Sequence, residues 1–338
     1  MRDYRMKYTE NALNILTAKT FKGIGNAWIN KNFINKNLSY YEDIVEVLKK
    51  NAKEEVTENI FLEKRRELEE KLDMMSSYCD GVVAVGDNNF PVYTATIKDS
   101  EKPNVLFYKG DLSLLSNQYR RMAVIGVLTP SEQIEKDERQ VVDLLSKQNI
   151  VIVSGLALGC DTIAHQQALR TKTDVFGDTH AATIAILPST LNNIIPAQNR
   201  KLAEYVNLLI TEYYEEPQSK FDMTSRFIER DRLQALFSET VILSASYTPN
   251  SIDPLAQKID SGSRHAMQKA REYGLGRAVI HSQYNQNDPK YDLNRQIINE
   301  NYPVSIIDLN NLNISINTLL NQKGESSKLE DSTQTELF

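Results

Sequence analysis

Cysteine is scarce in this chain of 338 residues: only Cys79 and Cys160 occur, in no spacing pattern. Two isolated cysteines exclude a disulfide framework. The four histidines, His165, His180, His265 and His281, are scattered and share no ligand spacing with either cysteine, so no zinc site and no other metal centre is expected. No apolar run is long enough to cross a bilayer. The opening "MRDYRMKYTE" lacks the apolar core of a secretory leader, and a cytoplasmic protein is expected. An excess of positive charge is missing too. The net charge is −6, which counts against a nucleic-acid partner, although a local basic groove can sit on an acidic body.

What is present is an ordinary globular composition, 41% hydrophobic and 25% charged, in a length that suggests one large and one small domain. Residues 1–78 read as a helical domain, with apolar positions at helical spacing and mixed charges between them. From residue 79 the period changes. Apolar, β-branched runs recur at 82–85, 105–108, 122–126, 150–153, 183–187, 208–211, 240–243, 278–281 and 304–307. Helical patterns such as "SEQIEKDERQVVDLLSKQ" and "SRHAMQKAREYG" lie between them. Alternating strands and helices predict an α/β fold, a doubly wound, mostly parallel, Rossmann-like sheet over 79–321. The polar, acidic segment 322–338 has no period and is expected to be disordered.

Within that region the stretch "IVIVSGLALGCDTIAHQQAL" (150–169) is the most informative. In an open parallel sheet, ligands bind beyond the carboxyl ends of strands, where helix N-termini present free N–H groups. Gly155 and Gly159 allow a ligand close to the backbone, Ser154 offers a hydroxyl, and Asp161 is placed to cap the next helix. The stretch reads as a cradle for phosphate oxygens; the competing reading is a tight turn whose glycines serve geometry alone. It is neither a G-x-G-x-x-G fingerprint nor a P-loop. The predicted site gathers three strand ends: Gly126, Ser154-Gly155 and the turn 188–193.

The same stretch resembles the signature of the DprA/Smf DNA-processing family. The resemblance continues in order through "FPVYTATIKDSEKPNVLFYKG", "MAVIGVLTPSE", "TIAILPSTLNNIIPAQNRKL", "LLITEYYEEP", "FIERDRLQALFSETVIL" and "SGSRHAMQKA", covering roughly residues 82–285. It implies an extended Rossmann-like domain that binds single-stranded DNA, forms a homodimer and helps load the bacterial recombinase during transformation. No cofactor is implied. Among the site residues, it points to Asn199, to Arg230 and Arg232 as the cations nearest the phosphate, and to Ser261, Gly262 and Ser263. It also implies a small helical N-terminal domain. There Gly23 and Gly25 form a hairpin between helices that can aim N–H groups at a phosphate, or that serves packing alone.

The sequence departs from the family in three places. Leu128 stands where a Gly-Ser/Thr-Arg arginine is usual, Leu158 where Ala-Arg-Gly is frequent, and Asp231 sits between the two arginines. An insertion, "SYTPNSIDPLAQKID", follows the strand at 240–243 and reads as a lid, a ligand-specific loop or a passive decoration. No counterpart of the winged-helix-like domain of some members is expected. A second function class therefore stands beside the first: a sensor or enzyme of the same superfamily, holding a nucleotide or nucleotide-derived ligand in the same crevice. No nucleophile, paired-carboxylate or metal constellation can be assembled from local spacing, so binding is expected rather than catalysis. His165 is expected to pack at the helix–sheet junction. Glu212 is read as a crevice-mouth or solvated acid. Phe21, Trp28 and Phe33 are read as core of the helical domain, and Lys64-Arg65-Arg66 as a solvated helix face.

Overall fold

The computed structural model describes residues 6–34, 38, 40–93, 95–174, 182–281 and 287–322. The tail expected to be disordered, and His180, lie outside the described residues, save Gln322. Nine strands form one sheet: β1 (Gly81–Ala84), β2 (Val105–Gly110), β3 (Arg121–Ile125), β4 (Val151–Ser154), β5 (Thr183–Ile186), β6 (Leu208–Thr211), β7 (Thr240–Leu243), β8 (Gly276–His281) and β9 (Ser305–Asp308). Their spatial order is β1-β2-β6-β5-β4-β3-β7-β8-β9. The chain builds outward from β3 through β4, β5 and β6, then crosses back to lay β7 on the other side of β3. Strand order reverses between β3 and β7, and connections leave that point in opposite directions, which opens a crevice at the carboxyl ends. The ladders from β6 to β9 are parallel. The ladders β1–β2 and β2–β6, at one edge, are antiparallel, so β2 alone runs against the other strands.

Side-chain alternation along the strands supplies two cores. Met122 and Val124 of β3, with Ile152 and Ile242, face α5 (Glu132–Lys147), α6 (Cys160–Asp174) and α11 (Leu312–Asn321). Ala123 and Ile125, with Val153 and Val241, face α8 (Lys220–Leu236), α9 (Arg264–Glu272) and α10 (Asp292–Ile298). The central strands are apolar throughout because both faces are covered. Helix α5 shows how local sequence sets an element. Ser131 caps it by accepting from Ile134 N, Ile134, Val141, Val142 and Leu145 make its buried stripe, and Asn149 takes the left-handed conformation just past its end.

The N-terminal helices α1 (Glu10–Lys19), α2 (Asn26–Ile29), α3 (Tyr41–Lys49) and α4 (Glu58–Met74) pack on the antiparallel edge. Their core is continuous with that edge: Leu13, Phe21, Phe61 and Leu72 share one cluster with Val82, Phe107, Leu187 and Leu209. Phe21 and Phe33 are buried there and Trp28 partly so, as their spacing suggested. The basic triplet departs from expectation. Lys64 lies 4.3 Å over the Phe21 ring and pairs with Glu54, and Arg65 bridges to Glu10 and Glu69, so only Arg66 is a solvated charge. Both cysteines are buried free thiols.

Candidate functional site

Three chain segments meet at the reversal point: 126–131 after β3, 155–159 after β4, and 244–263 after β7. They are tied together by backbone-directed bonds. Cys160 N donates to Val127 O (3.1 Å), Ser263 Oγ to Gly126 O (3.0 Å), and Leu128 N to Asp260 Oδ2 (3.0 Å). The structure thus brings together Gly126, Ser154, Gly155, Gly159, Asp161 and the segment Ser261, Gly262 and Ser263.

Several of these residues do work other than that expected. The Ser154 hydroxyl donates to Val124 O (2.7 Å), so it braces β4 against β3 rather than facing a ligand. Asp161 does not cap α6. Its Oδ2 accepts from Gly155 N (3.1 Å) and Ala157 N (3.2 Å), which shapes the loop before the helix. Asn199, from the turn leading into α7 (Arg200–Ala203), donates through one amide to Leu156 O, Ala157 O and Thr162 Oγ1 at 2.8–3.0 Å. Leu156 and Gly159 are held at φ 58° and 71°, and a Cβ on Gly159 would stand 2.3 Å from Val127 O. The turn at 188–193 closes the third strand end: the carboxylate of Glu216 accepts from Thr190 Oγ1 (2.6 Å) and Asn193 Nδ2 (2.9 Å). With Asp161 and Asn199 holding the loop, the N–H groups of Leu158, Gly159 and Thr162 have no acceptor among the described residues. These groups sit at the positive end of a fifteen-residue helix.

The two arginines are the main correction. Read from the sequence as the cations nearest the phosphate, both are buried. Arg230 Nη1 lies 3.5 Å from Asp161 Oδ2, and its Nε lies 3.3 Å from Asp231 Oδ1. Its guanidinium fills the space beside Gly155, where a Cβ would come within 1.0 Å of Nη1. Gly155 therefore makes room for Arg230, not for a phosphate. With its amide turned to suit its neighbours, Gln234 accepts from Gly155 N (2.8 Å) and Arg230 Nη1 (3.2 Å). Arg232 points elsewhere: its Nη2 makes a forked contact with both carboxylate oxygens of Glu212, at 2.9 and 2.8 Å. This joins α8 to the end of β6, and Glu212 is a partner of that arginine rather than a solvated acid. An arginine with a buried carboxylate partner far away in sequence looks, in the sequence, like any exposed arginine.

Beneath the loop lies a layer of buried acids. Burial pushes the Glu138 carboxyl up to about 8, with Cys160, Ser244 and Asp161 its neighbours. Burial likewise raises Asp231 to about 7, against the pull of Arg230. Asp161 is raised by burial and drawn down by Arg230. His165 is held neutral, lowered to about 3 by burial and by Arg230; its Nδ1 contacts Thr183 Oγ1 at 2.6 Å, the packing role expected of it. The charges open to solvent nearby are residues that sequence reasoning passed over. Arg200 and Lys201 open α7 beside Asn199, are exposed, and have no ion pair or hydrogen-bond partner among the described residues. Their signal was the "NRKL" run itself, read for its asparagine alone. Gly23 and Gly25 lie apart from the crevice, between α1 and α2, where Gly25 precedes the first turn of α2.

Comparison with known proteins fits this geometry. The family model for DNA recombination-mediator protein A matches residues 81–303. The DNA processing protein DprA of Streptococcus pneumoniae is 31% identical over 191 residues, 56% of this chain and 58% of the relative. That of Bacillus subtilis is 27% identical over 164 residues, 48% of this chain and 50% of the relative. The chain spans about half the length of these curated relatives. Among solved structures, S. pneumoniae DprA superposes with a TM-score of 0.65 at 25% identity, over 88% of this chain and 95% of that one. Helicobacter pylori DNA processing protein A, whose structure describes a single-stranded DNA binding mode, gives 0.54 at 25% identity, over 71% and 95%. With its family model matching most of the chain and the ordered motifs mapped onto one mostly parallel sheet, this protein belongs to the DNA recombination-mediator protein A family, the DprA/Smf proteins.

Proposed function

We propose that the protein binds single-stranded DNA at the carboxyl ends of β3, β4 and β7 and acts as a DNA-processing and recombination mediator, by binding rather than catalysis. The observation that carries the reading is the set of N–H groups of Leu158, Gly159 and Thr162 at the start of α6, without acceptors among the described residues, with Arg200 and Lys201, unpaired among those residues, following the Asn199 that bonds this loop. Backbone donors at a helix N-terminus suit phosphate oxygens of any sequence, as a mediator requires. The acidic body is no obstacle, since a local pair of cations supplies the contact. Family membership and the H. pylori relative's single-stranded DNA binding mode support the same partner.

In this reading Gly126, Gly159 and the serines at 261 and 263 shape the crevice. Ser154, Gly155, Asp161, Asn199 and Arg230 hold its floor, and Arg232 braces α8. The proposal includes a cytoplasmic homodimer that hands DNA to the bacterial recombinase in DNA uptake or protection, with Gly23 and Gly25 of the helical 1–78 region touching a further phosphate. No helix among the described residues is long and apolar enough to cross a membrane.

Binding of a single-stranded oligonucleotide as a function of salt tests the reading. Replacing Arg200 and Lys201 together by alanine is expected to weaken binding and to lower the slope of log K against log salt by about 0.7 for each phosphate left without its cation. Thermal stability should hold, since both side chains are exposed. A wild-type protein that does not bind the oligonucleotide, or a variant with an unchanged slope, overturns it.

A further inference from the structure

The rim of the crevice carries the two leucines by which the sequence departs from the family pattern. Leu128 and Leu158 stand at the two positions where the family carries arginine, and they are 43% and 40% exposed. The Leu128 carbonyl lies against Gly159, the residue after Leu158, so the two leucines stand on backbone segments in contact. The Leu128 N–H is bonded to Asp260, the last residue of the insertion after β7. That insertion holds Ile252 and Leu255 out to solvent at 82% and 93% exposure. Its shape is built rather than slack. Tyr247, fully buried, donates from its hydroxyl to Asp253 Oδ2 (2.6 Å), Asp253 also accepts from Leu255 N (2.9 Å), and Ser251 bonds to Asp292. A folded loop that points large aliphatic side chains into water, tied through Asp260 to the segment after β3, calls for an occupant.

We propose that this rim, Leu128, Leu158, Ile252 and Leu255, packs against unstacked bases of the bound single strand. The inference rests on the nucleic-acid reading above and deepens it. Asp253 and Asp260 disfavour phosphates on the insertion: neither has a basic side chain bonded to it among the described residues, although the Tyr247 hydroxyl, and beyond it Lys290, draw the Asp253 carboxyl down. Bases are neutral, flat and apolar on their faces, and in a single strand they are free of partners. With phosphates anchored at the α6 N-terminus, the bases of neighbouring nucleotides are free to reach the rim. A duplex, whose bases are stacked inside, presents nothing for these side chains. The loss of two arginines thereby exchanges salt-sensitive backbone contacts for salt-insensitive base contacts.

The test compares an oligothymidylate with an abasic strand of the same length, in the full chain, across a range of salt. Wild type is expected to bind the base-bearing strand about tenfold or more tightly than the abasic one. The double variant Leu128→Ala with Leu255→Ala is expected to lose most of that preference while its abasic affinity and salt slope stay unchanged; thermal melting confirms that it remains folded. Equal binding of both strands by wild type overturns the inference and leaves the rim to a protein partner. An equal loss on both strands in the variant also overturns it, because the rim would then serve the backbone. Binding of neither strand overturns the underlying nucleic-acid reading, and this inference with it.

Discussion

The molecule has two glycine turns, Gly155 to Gly159 before α6 and Gly23 to Gly25 before α2, and they differ in how closely the protein packs on their glycines. In the first, every neighbour is close. A Cβ at 155 would strike the Arg230 guanidinium, and one at 159 would strike the backbone of Val127 and Leu128. In the second, Gly23 is held at φ 92° with Lys53 Cγ 3.0 Å from where a Cβ would stand, whereas a Cβ at 25 would meet nothing within 4 Å and Gly25 has extended dihedrals open to any residue. Glycine at the crevice is required by the protein's own packing. At the hairpin no close neighbour requires glycine at 25. A glycine motif therefore marks close approach without saying whether the approaching group is a ligand or a buried side chain.

The largest effects should appear where that contrast is sharpest. Arg230→Ala leaves Asp161 and Asp231 buried without their cation and is expected to cost about 3–5 kcal/mol in urea unfolding. Gly155→Ala, which displaces the same guanidinium, should cost a comparable amount. The double variant should be less than additive, since removing Arg230 clears the closest clash of alanine at 155 and leaves the contact with Asp161 Oδ2 at 2.7 Å. Strict additivity would mean that the two do not compete for one space.

A smaller effect is expected from pH. Glu138 and Asp231 have carboxyls raised above their unfolded values, so the folded state holds these protons more tightly. Their contribution to stability is full below the unfolded value and is lost as pH rises through about 7 and 8. His165, lowered from 6.5, works in the opposite sense, and its contribution is lost only as pH falls below that value. Between about pH 6.5 and 8 stability should therefore fall, by about 1.4 kcal/mol per pH unit for each group titrating. Glu138→Gln should flatten that limb, and a limb unchanged in this variant would remove Glu138 from the account. Nothing comparable is expected of the hairpin, which has no buried acid.

The smallest stability effect belongs to Gly25→Ser, expected to stay within about 0.5 kcal/mol of wild type because serine suits an N-cap. For the same reason this variant is a clean reporter of close approach. If the hairpin touches a DNA phosphate, affinity for single-stranded DNA should drop while stability does not. Unchanged affinity would assign the glycine to no ligand.

Much of the fold was legible in the residues alone. Each of the nine apolar runs became a strand within a residue or two, because strands covered on both faces must be apolar along their whole length. The place of the crevice was legible for a related reason: alternating strands and helices give a parallel sheet, and a parallel sheet offers ligands its carboxyl ends. Strand order was not. It depends on which helix covers which face, and the antiparallel edge formed by β1 and β2 left no mark in the run lengths.

The site residues divide along the same line. The sequence by itself determined that a Ser-Gly-x-x-x-Gly-x-Asp turn would end a buried strand and open a helix, since glycine and a short acid are the residues that such a turn tolerates. Only the tertiary structure decided what the turn holds. Asp161 meets Arg230 from 69 positions later and Arg232 meets Glu212 from 20 positions earlier, both across helix–sheet contacts with no local pattern. Side-chain type sets what a residue can bond to. Whether an arginine faces solvent or a buried carboxylate is set by which elements pack over it, and that is a property of the assembled sheet and its helices.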